Sequence, residues 1–203
     1  MTAKYKIGAK VAGQGIYLGE WSPKDRTGKS LGKIFNLFAA PKDISKKDGT
    51  SRLMNFNEAA EYVSALHDGA GFKNDAELYA ALKNNCYNGG WFIPTQDILT
   101  DRLYNNRKQK SLNKSLSIKW SGIDSAHWYW SCTEPAYFRD CAFMVNFNNG
   151  HHNWNLKTSL RISVRLVRAV ELTAQEIEKK YKNAIALSKP LKLRPPIKFK
   201  RHD

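Results

Sequence analysis

Between residues 55 and 66 the apolar positions recur at helical spacing: Phe56, Ala59, Ala60, Val63 and Leu66 share a face, with polar residues between them. Asn55 stands where an N-cap belongs and Glu58 follows three residues later, which predicts a capped amphipathic helix. NDAELYAALKNN repeats the logic: Leu78, Ala81 and Leu82 face inward and the turn-rich CYNGG ends the helix. Residues 1–50 read as short strands and turns. The best strand among them is GKIFNLFAAP, closed by Pro41, and the Lys- and Asp-rich KDISKKDGTS after it reads as a loop. Three later runs, HWYWSCT, CAFMVNFNNG and LRISVRLVRAV, have strand composition, and the second closes on a hairpin-like NNG. In the third, Leu160, Ile162, Val164 and Leu166 alternate with Arg161, Ser163 and Arg165, which predicts one core face and one solvent face.

GGWFIPTQDIL, residues 89–99, joins the helical half to the strand half. Gly89 and Gly90 allow a tight turn, and Trp91, Phe92 and Ile93 read as a short buried strand ended by Pro94. Thr95 then stands where it can cap a third helix through Asp97, Ile98 and Leu99. NNRKQKSLNKSLSIK beyond it is polar and cationic and reads as a loop with little to bury. Near the C-terminus Thr173 and Glu176 stand in capping-box relation, predicting a helix of about 14 residues that stops at SKP. LKLRPPIKFKRHD, with two adjacent prolines, reads as extended.

Charge changes the picture more than composition does. The 203 residues are 42% hydrophobic, enough for a core, but 33 Lys and Arg against 18 Asp and Glu leave a formal charge of +15. That excess predicts an anionic partner. Residues 179–203 hold nine of the cations against Asp203 alone, a net of +8, so more than half of the excess is in the tail. Lys189, Lys192, Arg194, Lys198, Lys200 and Arg201 are the candidate contacts to such a partner. Three cysteines without a CxxC pair argue against a disulfide framework or a zinc site of ordinary spacing, and fit a reducing compartment. The first residues, MTAKYKIGAKVAGQGIYLG, hold no apolar run of signal-peptide length, and no window has the composition of a membrane span. A protein without a Sec signal, cytoplasmic or particle-associated, is expected.

The succession of GGWFIPT, YWSCTE, AFMVNFNNG and SVRLVRAV after two helices resembles a bacterial family of C-type-lectin-like domains of unassigned function. That family's pattern runs Gly-Trp-Arg-Leu-Pro-Thr, then Tyr-Trp-Ser-Ser-Thr-Glu, an apolar strand with a Gly turn, and Val-Arg-Cys-Val-Arg. The matching positions here are Gly90–Thr95, Tyr129–Glu134, Ala142–Gly150 and Val164–Arg168. Relatives of this fold include the end domains of collagen-like bacterial adhesins, the variable receptor-binding proteins of diversity-generating retroelements and, distantly, formylglycine-generating enzymes. The resemblance implies a C-type-lectin-like α+β domain over residues 1–170. It would have a twisted, mostly antiparallel sheet, two or three helices and a long loop region presenting a binding face. A basic helix and extended arm, 171–203, would follow. Trp91, Pro94, Thr95, Trp130, Glu134 and Arg165 are its structural motif residues, with the arginines 161, 165 and 168 expected to pair with carboxylates such as Glu134.

Two departures narrow the function. Sugar-binding relatives hold calcium through Glu-Pro-Asn and Trp-Asn-Asp, where this chain has EPA at 134–136 and WNL at 154–156. Ala136 and Leu156 offer no side-chain oxygen, so calcium-dependent sugar binding is not expected. Cys132 and Cys141 could be compared with the thiol pair of the formylglycine enzymes, but the surrounding residues do not match, and buried structural thiols are expected instead.

NFNNGHHNWNLK is rich in amides and aromatics of the kind that make adaptable contacts; read plainly, it is also an ordinary polar hairpin. Trp128, Tyr129, Asn149, His151, Asn153 and Trp154 are the candidate partner-binding residues, with Trp128 and Trp154 expected exposed and Trp91 and Trp130 expected in the core. His151 and His152 are adjacent, so on a strand they point to opposite faces and no metal is expected. The expected function is a non-enzymatic binding or assembly module, without cofactor, that docks through its basic arm onto a larger protein assembly such as a phage-like particle. The alternative is nucleic acid, with the tail and the 102–119 loop neutralising phosphates; no RNP-like or helix-turn-helix signature accompanies it.

Overall fold

The computed structural model describes residues 5–44, 52–116 and 128–187, with side chains described as far as Lys182. The chain divides into two units, one running to Glu171 and the other beginning at Leu172. The first is a mixed α+β unit with two sheets.

Its larger sheet joins β1 (Lys10–Val11), β2 (Gly15–Trp21), β3 (Phe35–Ala39) and β7 (Val167–Glu171), in the order β1-β2-β3-β7 and antiparallel throughout. β2 is buried on both faces: Ile16 and Leu18 sit in the core, while Tyr17 packs with Phe38 at 5.5 Å between ring centroids. The smaller sheet is antiparallel in the order β4 (Trp128–Trp130), β5 (Cys141–Asn146) and β6 (His152–Leu156). α1 (Phe56–Ser64) carries the predicted capping box, with Asn55 and Glu58 bonded reciprocally, and buries Phe56, Ala59, Ala60 and Val63. α2 (Asp75–Lys83) is capped by Asn74 and buries Leu78 and Leu82.

The segment that opens the strand half links the others. Phe92 exchanges both backbone hydrogen bonds with Val167, at 2.8 and 3.0 Å, and the Pro94 carbonyl accepts from Cys132 N at 2.9 Å. Gln96 N donates to Thr133 Oγ1 at 2.9 Å. Trp130 N donates to the Ser163 carbonyl and Ser131 N to that of Phe143. Stretches far apart in sequence are thus joined by main-chain bonds around one core, in which Phe92, Ile93 and Trp130 are buried.

Three expectations fail. The cationic stretch after residue 105 is no featureless loop: α3 spans Lys110–Leu116 and buries Leu112 and Leu116, one turn apart. Ser111 and Ser115 fasten it by donating to the Ile7 and Gly8 carbonyls at 2.8 and 2.7 Å. The third helix, Ile98–Tyr104, is a π-helix, and Thr95 does not cap it by side chain: its carbonyl accepts from Leu99 N while its hydroxyl donates to Asp97 Oδ1. The alternation predicted over 160–166 also breaks, because every residue from Ile162 to Val167 is buried and the strand proper begins at Val167.

Arg165 explains that break. It is 1% exposed; its Nη1 donates to the Ala40 and Leu116 carbonyls, and its Nε lies 2.7 Å from Asp43 Oδ1. Asp43 Oδ2 accepts from the Tyr129 hydroxyl at 3.0 Å. The three arginines pair with carboxylates as expected, though Glu134 is not among them: Arg161 pairs with Glu58, Arg165 with Asp43 and Arg168 with Asp68. Arg168 also lies over the Trp91 ring at 4.6 Å from its centroid, so Trp91 is half-buried beneath a guanidinium rather than fully enclosed.

The second unit carries α4 (Ala174–Leu187), started by the predicted box: Glu176 N donates to Thr173 Oγ1 and Thr173 N donates to Glu176 Oε2. Lys189, Lys192, Arg194, Lys198, Lys200 and Arg201 lie outside the described residues, as does Trp120.

Trp130 is fully buried, edge-on to Phe56, with its Nε1 donating to the Met54 carbonyl at 3.0 Å, whereas Trp154 is 42% exposed. Trp130→Ala is expected to cost about 3–5 kcal/mol and Trp154→Ala under about 1 kcal/mol, read from urea unfolding midpoints at unchanged m-value.

Candidate functional site

A cleft of about 730 Å³ opens between the loop before β3, the N-terminus of α2, the π-helix and β6. One wall begins in the loop 24–30. Asp25 Oδ1 there accepts from Thr27 N, Thr27 Oγ1 and Lys29 N, closing a turn that presents Arg26. Arg26 Nη2 donates to Asp75 Oδ1 at 2.5 Å and to Glu134 Oε2 at 3.1 Å. Glu134 Oε1 in turn accepts from Lys157 Nζ at 2.6 Å. Asp75 is the first residue of α2, where the helix dipole favours an anion. Two carboxylates, 2% and 9% exposed, are thus neutralised by two cations from distant parts of the chain. Burial pushes the Glu134 carboxyl up, but hydrogen bonds from Lys157 and Arg26 outweigh it and leave the group below the usual carboxylate range.

The opposite wall is the start of the π-helix. The Asp97 carboxylate is oriented by neutral donors, Trp21 Nε1 at 3.0 Å on Oδ2 and the Thr95 hydroxyl on Oδ1. Ile98, Leu99, Leu103 and Tyr104 anchor the helix in the core, and its wide turn closes with Asn105 N donating to the Thr100 carbonyl at 2.8 Å. Thr100, Asp101 and Arg102 line the cleft. Helices of this form are rare and concentrate at functional sites because they widen the backbone locally.

β6 supplies the third wall through His152. Gln96 Nε2 lies 2.8 Å from His152 Nδ1, and Thr100 Oγ1 lies 3.1 Å from Nε2. Both ring nitrogens of His152 thus have a polar partner on the π-helix side of the cleft. Tyr79 completes the cleft; burial, then Asp97, pushes its phenol upward, so it stays protonated. Cys132 is fully enclosed, and burial, then Asp75 and Asp97, push its thiol well up, the reverse of an activated nucleophile. Among the described residues no three His, Cys, Asp or Glu converge as a metal would require.

None of the six expected partner-binding residues lines this cleft. Tyr129 is a correction: it is 3% exposed, stacks on Phe147 at 4.4 Å and bonds Asp43, because its side chain turns into the core. Trp128, expected exposed, is half-buried against the core and edge-on to His151 at 6.2 Å. Trp154 is exposed and stacks on Phe138 at 4.9 Å, beside Tyr137, which is 91% exposed. Asn149 and Asn153 are exposed and serve the backbone, their Oδ1 atoms accepting from His151 N and Trp154 N. Asn155 does the same for Leu156 N. Of the two adjacent histidines, His152 rather than His151 enters the cleft. Of the motif residues, Glu134 lines it, while Pro94 and Thr95 sit behind it, buried.

Sequence reading missed Arg26, Asp75, Asp97 and His152 as a set. Arg26 is 49 residues from Asp75 and 108 from Glu134, and no local pattern couples such positions. The available signal was Asp75 following an Asn N-cap, which reads equally as a helix-start acid. A scan against protein-family models and a search of the curated proteins both find no match to the chain.

Glu134 titrates below its unfolded value in the folded protein, so its contribution to stability is complete above the ordinary glutamate range and is lost as pH falls through the depressed value. The stability advantage of the native chain over Glu134→Gln is therefore expected to be largest near about pH 6 and to shrink steadily toward about pH 2, followed by urea midpoints across that range.

Proposed function

We propose that this chain is a non-enzymatic binding or assembly module on a C-type-lectin-like scaffold, with the cleft as its recognition site and the basic arm, 189–201, as a second attachment to a larger, anionic assembly. The observation that carries the reading is the cleft: a polar recess of ligand size walled by a π-helix and by a four-charge network with two buried carboxylates. The scaffold reading is supported by the mostly antiparallel sheets, by the two helices ahead of Trp91, and by the way the GGWFIPT, YWSCTE and SVRLVRAV stretches bond to one another. A binding rather than catalytic role is favoured by the thiol of Cys132, held protonated and enclosed, and by a histidine whose two ring nitrogens are already engaged.

The nucleic-acid alternative draws on Lys108, Lys110 and Lys114, which are exposed, and on the cations beyond residue 188. Arg107 is turned back over the Tyr104 ring at 3.6 Å, with its Nη1 donating to the Tyr104 carbonyl. This weakens the cationic stretch as a phosphate track. No described helix is long and apolar enough to cross a membrane.

Ala136 lines the cleft and is exposed, so Ala136→Trp adds an indole at the recess and leaves each ion-pairing residue unchanged in identity. A nuclear magnetic resonance screen of small polar molecules against the full chain is expected to shift amides of Gln96, Thr100, Thr133 and His152, and to lose those shifts in Ala136→Trp at nearly unchanged melting temperature. Hits that gather elsewhere, or persist in that variant, would remove the cleft from the reading. The described core residues all fall between Ile16 and Ala169, so removal of residues 172–203 is expected to shift melting by only a few degrees, roughly 1 kcal/mol or less. Unfolding on truncation would contradict a separable arm.

A further inference from the structure

We infer that the cleft takes an organic cation carrying N–H donors, an alkylammonium or guanidinium group; this rests on the cleft being the recognition site. The first observation is an inversion of charge. Across the chain cations outnumber acids 33 to 18, yet the cleft is lined by Asp25, Asp75, Asp97, Asp101 and Glu134 against Lys24, Arg26 and Arg102. A ligand entering it meets the acidic part of a basic protein.

The second observation is which acids are already satisfied. Asp75 and Glu134 are neutralised by Arg26 and Lys157. Asp97 is fixed by an indole N–H and a hydroxyl, neutral donors that orient the carboxylate without cancelling its charge, and each oxygen keeps a lone pair for a further donor. Asp101, four residues on, accepts only the Asn105 amide among the described residues, at 3.2 Å. Neither carboxylate has an ion-pair partner among the described residues. Two solvent-accessible carboxylates along one helical wall of an open cleft suit a group that offers several N–H bonds and a positive charge, because charge-assisted bonds are roughly twice as strong as neutral ones.

The third observation concerns the rest of the wall. Trp21, Tyr79 and Ala136 contribute carbon surface beside these acids, which fits an alkyl stem behind a cationic head. An anionic ligand would face Asp97 and Asp101, and a neutral polyol would gain no ion pairing from them.

The test titrates the full chain with n-butylguanidinium and 1,4-diaminobutane, with xylitol and glutarate as the neutral and anionic comparisons, by calorimetry and by amide shifts. Both cations are expected to shift Gln96, Thr100 and Thr133, to weaken with added salt, and to bind about ten-fold or more weakly in Asp101→Asn and in Asp97→Asn. Asp101→Asn is the safer variant, since its exposed side chain holds only one amide, whereas Asp97 also anchors Trp21. Preferential binding of xylitol or glutarate at the same amides would overturn the cation assignment while leaving the cleft as the recognition site. Cation binding unchanged in both variants would overturn it too. Silence of these amides toward every probe would overturn both the assignment and the recognition site on which it rests.

Discussion

Everything in the larger unit depends on one short extended segment being bonded on both sides. Trp91 N donates to the Asp68 carbonyl, and Ala70 N donates to that of Trp91; one residue on, Phe92 and Val167 exchange a full antiparallel pair, and Pro94 then accepts from Cys132. A proline at that point costs nothing, since the position needs only a carbonyl. With Phe92 and Ile93 buried, water cannot replace these bonds, so breaking them would leave buried polar groups unpaired. The segment thereby ties the terminal strand of the larger sheet to the smaller sheet, and its continuation, Gln96 and Asp97, becomes a wall of the cleft.

Around this tie the molecule places charge where a simple core would place carbon. Arg165 joins the end of β3, the end of α3 and the Tyr129–Asp43 pair from a fully buried position. At the cleft wall, Arg26 and Lys157 join the buried carboxylates Asp75 and Glu134. Burying ions is expensive and adds little net stability over apolar replacement, but removing one partner is severe, so such clusters hold geometry more than they add strength. Edge strand β6 is treated in the same spirit. By the pairing register its outward amides at Trp154 and Leu156 are taken by Asn153 and Asn155, so the exposed edge offers fewer free donors for another strand while His152 faces the cleft.

Much of the local structure was legible because it is locally encoded. The capping boxes at Asn55 and Thr173, the periodic faces of α1 and α2 and the hairpin before β6 all follow from residues a few positions apart. What could not be read depends on distant partners. Ser163 and Arg165 looked solvent-facing from their alternation, yet Asp43, Ala40 and Leu116 supply the bonds that allow burial. Leu112 and Leu116 were too sparse among cations to announce a helix, and only the groove they fill makes one stable. The cleft fared worst. Glu134 was picked out, but its cations come from an exposed turn and from the end of β6, and Tyr129 was read as a partner contact although its ring completes the core.

If the segment 91–96 holds both sheets and the cleft wall in one piece, its amides should open only when the whole unit unfolds. Native-state hydrogen exchange of the Phe92, Cys132 and Val167 amides reads this directly. The expected result is that all three exchange with the same free energy as the most protected amides of β2 and β3, near the global unfolding value. Exchange of these three through a low-energy local opening, while β2 and β3 stay protected, would show that the sheets and the cleft are not held together by this segment.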